Sequence, residues 1–348
     1  MSDMSQEHEH ILEVQQELIK LGEISKESTF VKSNQIMTGG SVCILFELCF
    51  ENPTRRFIQK IFRFKTSYEG AKLEYTNLKT LFENNLSVPQ PYFLKPIPNT
   101  RNLPYYVMEK IEGLRLVDVK VRNPDKYEQF IEQLLKEMYK IHNLDSQSFP
   151  TIPIDNIEEN PFAPIDKKLE ICKIYLERYP EELTEFKPVV NWLEKNKTLY
   201  PCDKLVVTHG DYHSFNILVQ ENLELVILDW NAMSITDFRM DVAYTANSES
   251  YFDEKQTFKD RMKRASLIAN IYEKISGRSI EGLHYFMILV STFNLIRLYS
   301  QINNPDMTGE NKDAIDFFFT VKDYFLFLAN LIRETCNVEL EQVEEYFK

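Results

Sequence analysis

Two polar segments at a fixed separation constrain this chain more than anything else in it. They are His209-Gly210-Asp211-Tyr212-His213-Ser214-Phe215-Asn216 and Leu225-Val226-Ile227-Leu228-Asp229-Trp230. Four consecutive apolar residues, 225 to 228, predict a short buried strand with Asp229 at its end, where a carboxylate is held and aimed. Ile217-Leu218-Val219 predicts a second short strand directly after Asn216. The thirteen-residue step from Asn216 to Asp229 fits a hairpin that brings both polar groups to one place. A third strand, Val206 to Thr208, leads into the first segment.

Phosphoryl transfer needs these residue types in this order. One carboxylate must face the attacking hydroxyl, and an amide oxygen a turn later must face a magnesium ion. Asp211 and Asn216, five positions apart, have the spacing of a catalytic loop of that kind. A carboxylate at Asp229 would chelate magnesium bridging the phosphates of a nucleotide. Two other readings stay open at this point. His209-x-Asp211-x-His213 has the look of a metal-hydrolase ligand cluster, although a stable site needs further ligands and the chain has only six histidines, with His8 and His10 expected in an N-terminal tail. A satisfied buried aspartate with a capping asparagine accounts for one segment but hardly for both.

The remaining sequence supplies a scaffold of the right sort. At 348 residues the chain suggests two domains or one large bilobal unit, able to bury a core without disulfides or metals. A helix is expected over 7–22, followed by a β-rich block. Ser41 to Phe50 and Phe57 to Phe64 read as strands separated by the turn signal Asn52-Pro53. Within the second, Lys60 shares a strand face with Ile58 and Phe62. A helix from Tyr68 to Asn84, with Leu73, Leu78, Leu81 and Phe82 at helical spacing, interrupts the block. Strands at 92–95 and 105–111 bring the located strands to four, in a block expected to be a five-stranded sheet with one inserted helix ending near residue 112. From Gly113 the pattern turns helical. The clearest case follows Asn123-Pro124, with Tyr127, Phe130, Ile131, Leu134, Leu135, Met138 and Ile141 on one face. Residues 148–168 read as a Pro-rich loop, and further helices are expected over 168–178, 181–196, 256–276, 281–301 and 311–345. The expected class is α+β, with a β-rich N-terminal lobe over 1–112 and a mostly helical C-terminal lobe over 113–348.

Charge and cysteine content narrow the partners. A net charge of −13 argues against a nucleic-acid binder. Its acidity either serves solubility alone or makes an amine-bearing substrate easier to accommodate. Five cysteines without a Cys-x-x-Cys pair suit free thiols in a reducing cytoplasm. The first residues, MSDMSQEHEHILEV, have no basic start followed by an apolar run, so no signal peptide is expected. The most apolar stretch, Tyr285 to Leu298, is broken by Asn294 and Arg297, reading as a buried helix and not a membrane span.

Three upstream features complete a nucleotide site. Gly39, Gly40 and Ser41 precede a strand, where paired glycines let backbone N–H groups approach phosphates. Lys60 is placed to neutralise the α- and β-phosphates, and Glu74 on the following helix to hold it by an ion pair. Lys65 and Glu69 are the rival choices. Lys60 is preferred for its apolar neighbours, and Glu74 because Leu78 and Leu81 set its turn against the sheet.

With these residues in view, the chain resembles the aminoglycoside phosphotransferase and choline kinase-like family, small-molecule relatives of the protein kinases. The resemblance rests on His209-Gly210-Asp211, four residues, Asn216, then the strand ending Asp229-Trp230. It also covers Glu74-x-x-x-Leu78-x-x-Leu81 followed by Val88-Pro89-x-Pro91, Val107 to Gly113, Ile141-His142-x-Leu144 and Asp237-x-x-x-Asp241-Val242-Ala243. It implies a protein-kinase-like fold and ATP as co-substrate, with GTP left open. Asp211 would be the catalytic base or hydroxyl-orienting group, and Asn216 and Asp229 the Mg2+ ligands. Lys60 and Glu74 would fix the phosphates. The adenine would lie in the interlobe cleft against the backbone of Glu109 and Ile111, with Met108 lining its depth. Asp241, His209 and His142 would be structural. The chain departs from the protein-kinase pattern in lacking Ala-Pro-Glu and an activation loop of usual length after Asp229, which points to a small acceptor. Family members usually carry an acidic residue after Asp-Trp, where this chain has Asn231.

The expected function is therefore ATP-dependent phosphorylation of a hydroxyl on a small molecule. Acceptors in view are an aminoglycoside-like sugar, choline or ethanolamine, a methylthioribose-type sugar, or homoserine. The substrate-binding helices are expected after Asp241 and to include the acidic stretch Glu249 to Glu254, with Asp253 and Glu254 as candidates for meeting a cationic substrate and a solvated charged loop as the plainer reading. A catalytically inactive nucleotide-binding module is the alternative, and a protein kinase a third.

Overall fold

The computed structural model describes residues 3–36, 43–63, 67–97, 99–251, 257–302 and 322–347. The chain divides into two compact units, Met1–Leu114 with Leu218–Asn231, and Arg115–Ile217 with Ala232–Lys348. Each is built for a different task.

The first unit is an antiparallel sheet of five strands: β1 (Thr29–Ile36), β2 (Cys43–Glu51), β3 (Arg55–Phe62), β4 (Pro91–Lys95) and β5 (Tyr105–Glu109), in the order β1-β2-β3-β5-β4. Successive side chains of β3 point to opposite faces. One face carries Phe57, Gln59 and Ile61 toward helix α1 (Asp3–Lys20), whose Ile11, Val14 and Leu18 join Phe50, Tyr105 and Val107 in a single apolar core. The other face carries Ile58, Lys60 and Phe62, and Lys60 meets helix α2 (Tyr68–Glu83) through Glu74. The central strand is thus buried on both faces along most of its length.

Two expectations need correcting here. His10 does not belong to a tail. It is fully buried in α1, with Nδ1 2.9 Å from Thr100 Oγ1 and Nε2 2.7 Å from Gln59 Nε2. The apolar residues on either side of His10 are too few to mark it as a core position by pattern alone. Strand β1 supplies the fifth strand of the sheet at a place where the sequence reading located none. Its sequence, TFVKSNQI, is polar because no residue of this edge strand is fully buried. It is held by backbone pairing with β2, from Thr29 opposite Glu51 to Ile36 opposite Leu45.

A hairpin formed by β8 (Ile217–Val219) and β9 (Leu225–Ile227) brings its own residues, Leu218 to Asn231, into the first unit. Ile227 N donates to Ser87 O at 2.9 Å, and the Val219 carbonyl lies so close to Gly113 that an added Cβ would approach it to 2.7 Å. A single cut at residue 112 leaves this hairpin with the helical part. The hydrogen bond to Ser87 explains why it groups with the sheet instead.

The second unit is mostly helical. After the two-residue strand β6 (Leu114–Arg115) come α3 (Leu116–Arg122), α4 (Tyr127–His142), α5 (Ala163–Arg178) and α6 (Lys187–Asn196). The expected face of α4 is buried at Ile131, Leu134, Leu135, Met138 and Ile141, and Pro124 begins a separate 3-10 turn before it. A two-stranded ribbon pairs β7 (Leu205–Thr208) with β10 (Ser234–Asp237) and leads into α7 (Phe238–Tyr251). Then come α8 (Phe258–Ser276), α9 (Leu283–Ile302), α10 (Lys322–Cys336) and α11 (Glu341–Phe347). The helix expected over 311–345 is therefore interrupted in its described part, where Asn337 adopts φ 56°. None of the five cysteines is in a disulfide, and no helix among the described residues is long and apolar enough to cross a membrane.

Candidate active site

The first unit gathers three charged groups around one buried ammonium. Lys60 Nζ lies 2.7 Å from Glu74 Oε1 and 3.1 Å from Asp229 Oδ1. Lys60 and Glu74 are 5% and 4% exposed, so each depends on the other for charge compensation. Burial disfavours the Lys60 cation, but the Glu74 carboxylate, with Tyr106 and Asp229, outweighs it and holds the ammonium well above its usual pKa. The Tyr106 hydroxyl donates to the same Glu74 oxygen at 3.0 Å, a partner that sequence reading missed. Alternation along β5 marks it: Tyr106 pairs with Lys60 across the sheet. Of the rival choices, Glu69 is exposed, and Lys65 lies outside the described residues.

Asp229 follows β9 with φ 61°, in the left-handed region that L-residues other than Asn and Asp avoid. A short polar side chain tolerates that backbone, and the turn aims the carboxylate at Lys60. The adjacent Trp230 donates its indole N–H to Ile227 O at 3.2 Å, pinning the turn from the other side. Gly39, Gly40 and Ser41 lie outside the described residues. At the end of β5, Glu109 N donates to Gln90 O at 2.8 Å, while the Glu109 carboxylate accepts from Gln90 N at 3.3 Å. Lys110 Nζ reaches Ile111 O at 3.0 Å, and the Ile111 N–H makes no hydrogen bond to any described residue. Met108 is half-buried at the end of β5.

The second unit carries Asp211 and Asn216 on a loop braced from below. Asp241, on the first turn of α7, accepts from His209 N and Gly210 N, both at 2.8 Å, and faces His142 Nε2 at 3.3 Å. Burial raises a lone carboxyl, but His142, His209 and the Gly210 N–H together hold Asp241 below its ordinary value. His142 is fixed in turn by Tyr272, whose hydroxyl lies 2.5 Å from Nδ1. Gly210 has φ 82°, and a Cβ there would come 2.3 Å from the Ala232 carbonyl oxygen. Only glycine fits that position.

A second brace lies three residues beyond Asp211. Ser214 donates its N–H to Glu249 Oε1 at 2.7 Å and its hydroxyl to the same oxygen at 2.6 Å. Lys120 Nζ, from α3, pairs with the other Glu249 oxygen and donates to Ser214 Oγ at 3.0 Å. Glu249 is fully buried, so it is a support for the loop and not an acidic surface for a cationic substrate. Asp253 and Glu254 lie outside the described residues. Lys120 and Glu249 escape sequence reading because a charged pair inside a helical unit looks like two solvated charges until the fold joins them.

Asp211 itself is held by three neighbours. The Tyr244 hydroxyl donates to Oδ1, His213 Nε2 lies 3.3 Å from Oδ1, and Asn216 Nδ2 donates to Oδ2 at 3.0 Å. Burial opposes ionisation here, but the charge and hydrogen bond of His213, with Tyr244 and His209, prevail and hold the carboxyl far below the usual range. Tyr244 went unnoticed in the sequence, yet it stands one turn after Asp241, on the same face of α7. His209 is spent on the loop, its Nδ1 accepting from Asp211 N at 3.2 Å. Among the described residues no three His, Cys, Asp or Glu side chains are grouped to hold a metal, which leaves the hydrolase cluster without a third ligand. Asn216 commits its amide nitrogen to Asp211 O and Oδ2, both at 3.0 Å, so the amide oxygen is the atom left to face a cation.

A buried lysine–glutamate pair beneath a turn-borne aspartate, and an ionised aspartate on a doubly braced loop, define a small-molecule phosphotransferase. The chain belongs to the phosphotransferase enzyme family (APH), whose model matches residues 50–277. No curated protein matches the sequence. Solved structures share the fold. The GDP and kanamycin complex of APH(2″)-IIIa aligns with TM-score 0.60 at 14% identity, over 90% of this chain and 99% of that one. A choline kinase from Cryptosporidium parvum aligns with TM-score 0.56 at 17% identity, over 88% and 91%. An amicoumacin kinase in complex with AMP-PNP, Ca2+ and Ami aligns with TM-score 0.56 at 13% identity, over 93% and 96%.

Proposed function

We propose that this phosphotransferase moves the γ-phosphoryl group of a nucleoside triphosphate, ATP in the first instance, to a hydroxyl of a small molecule. The observation that carries the reading is the setting of the Asp211 carboxyl: fixed by Tyr244, His213 and Asn216, and mounted on a loop whose two ends are tied to Asp241 and Glu249. Such a carboxylate orients an attacking hydroxyl and accepts its proton late, as suits a loose transition state. The acceptor oxygen bonds to the γ-phosphorus, the bond from that phosphorus to the β-bridging oxygen breaks, and the nucleoside diphosphate leaves with the electron pair. The acceptor proton passes to Asp211 and then to solvent.

The first unit supplies the groups for the nucleotide. Lys60, fully charged and fixed by Glu74, would neutralise the α- and β-phosphates. The Ile111 N–H, without a hydrogen bond among the described residues, and the Glu109 carbonyl would suit the edge of a purine, with Met108 beside it. Magnesium fits the donors present. The Asn216 amide oxygen in the second unit and the partly exposed Asp229 carboxylate in the first are each hard oxygen donors of the kind that would hold Mg2+. When bound, the ion neutralises charge on the phosphates. Among relatives, one is bound to GDP and kanamycin, one to AMP-PNP, and one is a choline kinase, which supports a nucleotide donor and small hydroxyl acceptors.

The test is nucleotide consumption against aminoglycosides, choline analogues, sugars and amino alcohols, with wild type and Asp211→Asn. Turnover on one class that collapses in Asp211→Asn, with nucleotide binding retained, supports the reading. Nucleotide binding without turnover on any acceptor would point to a sensor instead.

A further inference from the structure

Two cations in the second unit have no visible employment. Lys168 on α5 and Arg297 on α9 both rest on the ring of Phe293, with Lys168 Nζ 4.1 Å and Arg297 Cζ 5.2 Å from its centroid. Arg297 stands one helical turn beyond Phe293 on α9, so its guanidinium lies back over the ring. Neither cation makes an ion pair or a side-chain hydrogen bond with any described residue.

Their neighbours on the same elements behave differently. Lys167 pairs with Asp155 at 3.4 Å, Lys173 with Glu194 at 2.5 Å, and Lys197 with Asp166 and Glu194 at 2.5 and 2.8 Å. The buried Lys120 has Glu249. Among the described residues, these two cations share one ring and have no carboxylate beside them. Lys168 is also desolvated, and with Arg297 repelling it the ammonium is pushed down to about 8. Placing a like charge beside a desolvated one is unfavourable unless an anion joins them.

Helix α9 packs on α7, the helix that carries Tyr244: Asn247 Nδ2 donates to Met287 O at 3.1 Å and to Ser291 Oγ at 3.0 Å. The charge of Arg297 is felt at the Tyr244 hydroxyl, and Tyr244 donates to Asp211. Lys168 is near enough to feel Asp241, the brace of that loop. Tyr324 on α10, whose hydroxyl lies 3.5 Å from Ser248 Oγ, feels Asp211 as well. These side chains come from α5, α7, α9 and α10, all of the second unit.

We propose that Lys168 and Arg297, seated on Phe293, anchor a compact anionic group of the acceptor, so that the substrate is a hydroxyl compound bearing a carboxylate or a phosphate and not a polyamine. This deepens the phosphotransfer reading and rests on it. It also separates local charge from net charge. The overall value of −13 makes cations easier to accommodate at the surface, whereas the groups that α5 and α9 seat on Phe293 are positive. An Arg fork beside a single Lys suits a planar carboxylate well.

The experiment is steady-state turnover on three matched acceptor sets: hydroxy-carboxylates such as homoserine and glycerate, sugar phosphates, and the cationic choline and kanamycin. Wild type, Lys168→Met, Arg297→Gln and Arg297→Lys are compared. Activity should lie with one of the anionic sets, and which set tells carboxylate from phosphate. Arg297→Gln should raise the acceptor KM by about 10- to 100-fold, as expected for losing a charge-assisted bond. Arg297→Lys should recover part of the loss, and the change should fall on the acceptor KM and not on the nucleotide KM. Arg297 is exposed, so its variants are expected to fold even if Lys168→Met does not. A preferred cationic acceptor, or an acceptor KM indifferent to both positions, overturns the proposal. If no set turns over, the phosphotransfer reading is what fails. Thermal shifts with the same compounds then decide the anchor: stabilisation by an anion that is lost in Arg297→Gln upholds it, and no stabilisation overturns it.

Discussion

Replacing Asp241 with asparagine tests the brace beneath the catalytic loop with nearly no change in shape. The carboxylate accepts two backbone N–H bonds at 2.8 Å and faces His142 at 3.3 Å, in full burial. An asparagine keeps one oxygen acceptor and turns an NH2 group toward the other donor. One bond to a charged acceptor is lost, worth about 1.5–3 kcal/mol, and a buried N–H is left unsatisfied at about 1–3 kcal/mol. Since these overlap, the net loss is about 3–4 kcal/mol, a large share of a typical stability of about 5–15 kcal/mol. With a urea m-value of about 2 kcal/mol/M, the midpoint of the second unit should fall by about 1.5–2 M. The chain's two tryptophans make this measurable, because Trp192 lies in the second unit and Trp230 in the first. In a Trp230→Phe background, fluorescence during urea unfolding follows the second unit alone.

The pH dependence has a definite sign. The Asp241 pKa is lower in the folded protein than in the unfolded chain, so its contribution is present above the unfolded value of about 3.9 and fades as pH falls through the folded value. Wild type should therefore lose its advantage over Asp241→Asn only below the ordinary carboxylate range. A midpoint unchanged within about 0.3 M at pH 7, or an advantage that vanishes already near neutral pH, would refute the argument.

Other perturbations have equally definite outcomes. Lys60→Met leaves Glu74 buried without its cation, which should cost about 3–5 kcal/mol by chemical unfolding and weaken nucleotide affinity in calorimetry. Substituting both Lys60 and Glu74 with methionine should restore much of the stability and none of the affinity. Gly210→Ala forces a Cβ against the Ala232 carbonyl at φ 82° and should lower turnover at least tenfold, with a stability loss of about 2–4 kcal/mol. Asp211→Asn should reduce turnover by about 10²–10⁴ with the nucleotide Kd little changed, read by coupled assay and titration. Glu249→Gln should destabilise the second unit, and Lys120→Met together with Glu249→Gln should recover part of the loss in the same urea assay.

The sequence speaks most clearly where a residue's neighbours along the chain share its fate. The strands at β2, β3, β4, β5 and β9 and the long face of α4 follow from apolar pattern, and the family from short segments whose spacing the chemistry demands. It is silent where a residue's environment is made by distant parts of the chain. Strand β1 is polar because its partner supplies backbone bonds and not a core. His10 looks like part of a charged tail until Gln59, 49 positions away, meets it inside the first unit. Glu249 reads as a surface acid until Ser214 and Lys120 enclose it. Tyr244, Tyr106 and the cations on Phe293 share this character. They are ordinary residues in sequence, given meaning by helices that come together only in three dimensions.

The hairpin of β8 and β9 has a consequence for how the protein is made. It belongs to the first unit, yet residues 115–217 of the second are made before it, so the sheet that ends near Leu114 waits for Leu218 to Asn231. At ribosomal speeds of about 5–20 residues per second, roughly a hundred residues take on the order of 10 s. Throughout that interval the Ser87 carbonyl lacks Ile227, and Lys60 and Glu74 lack Asp229. The nascent sheet thus emerges with its phosphate-binding lysine in place but its aspartate still unmade, so a chain released early holds Lys60 and Glu74 without the carboxylate that follows β9.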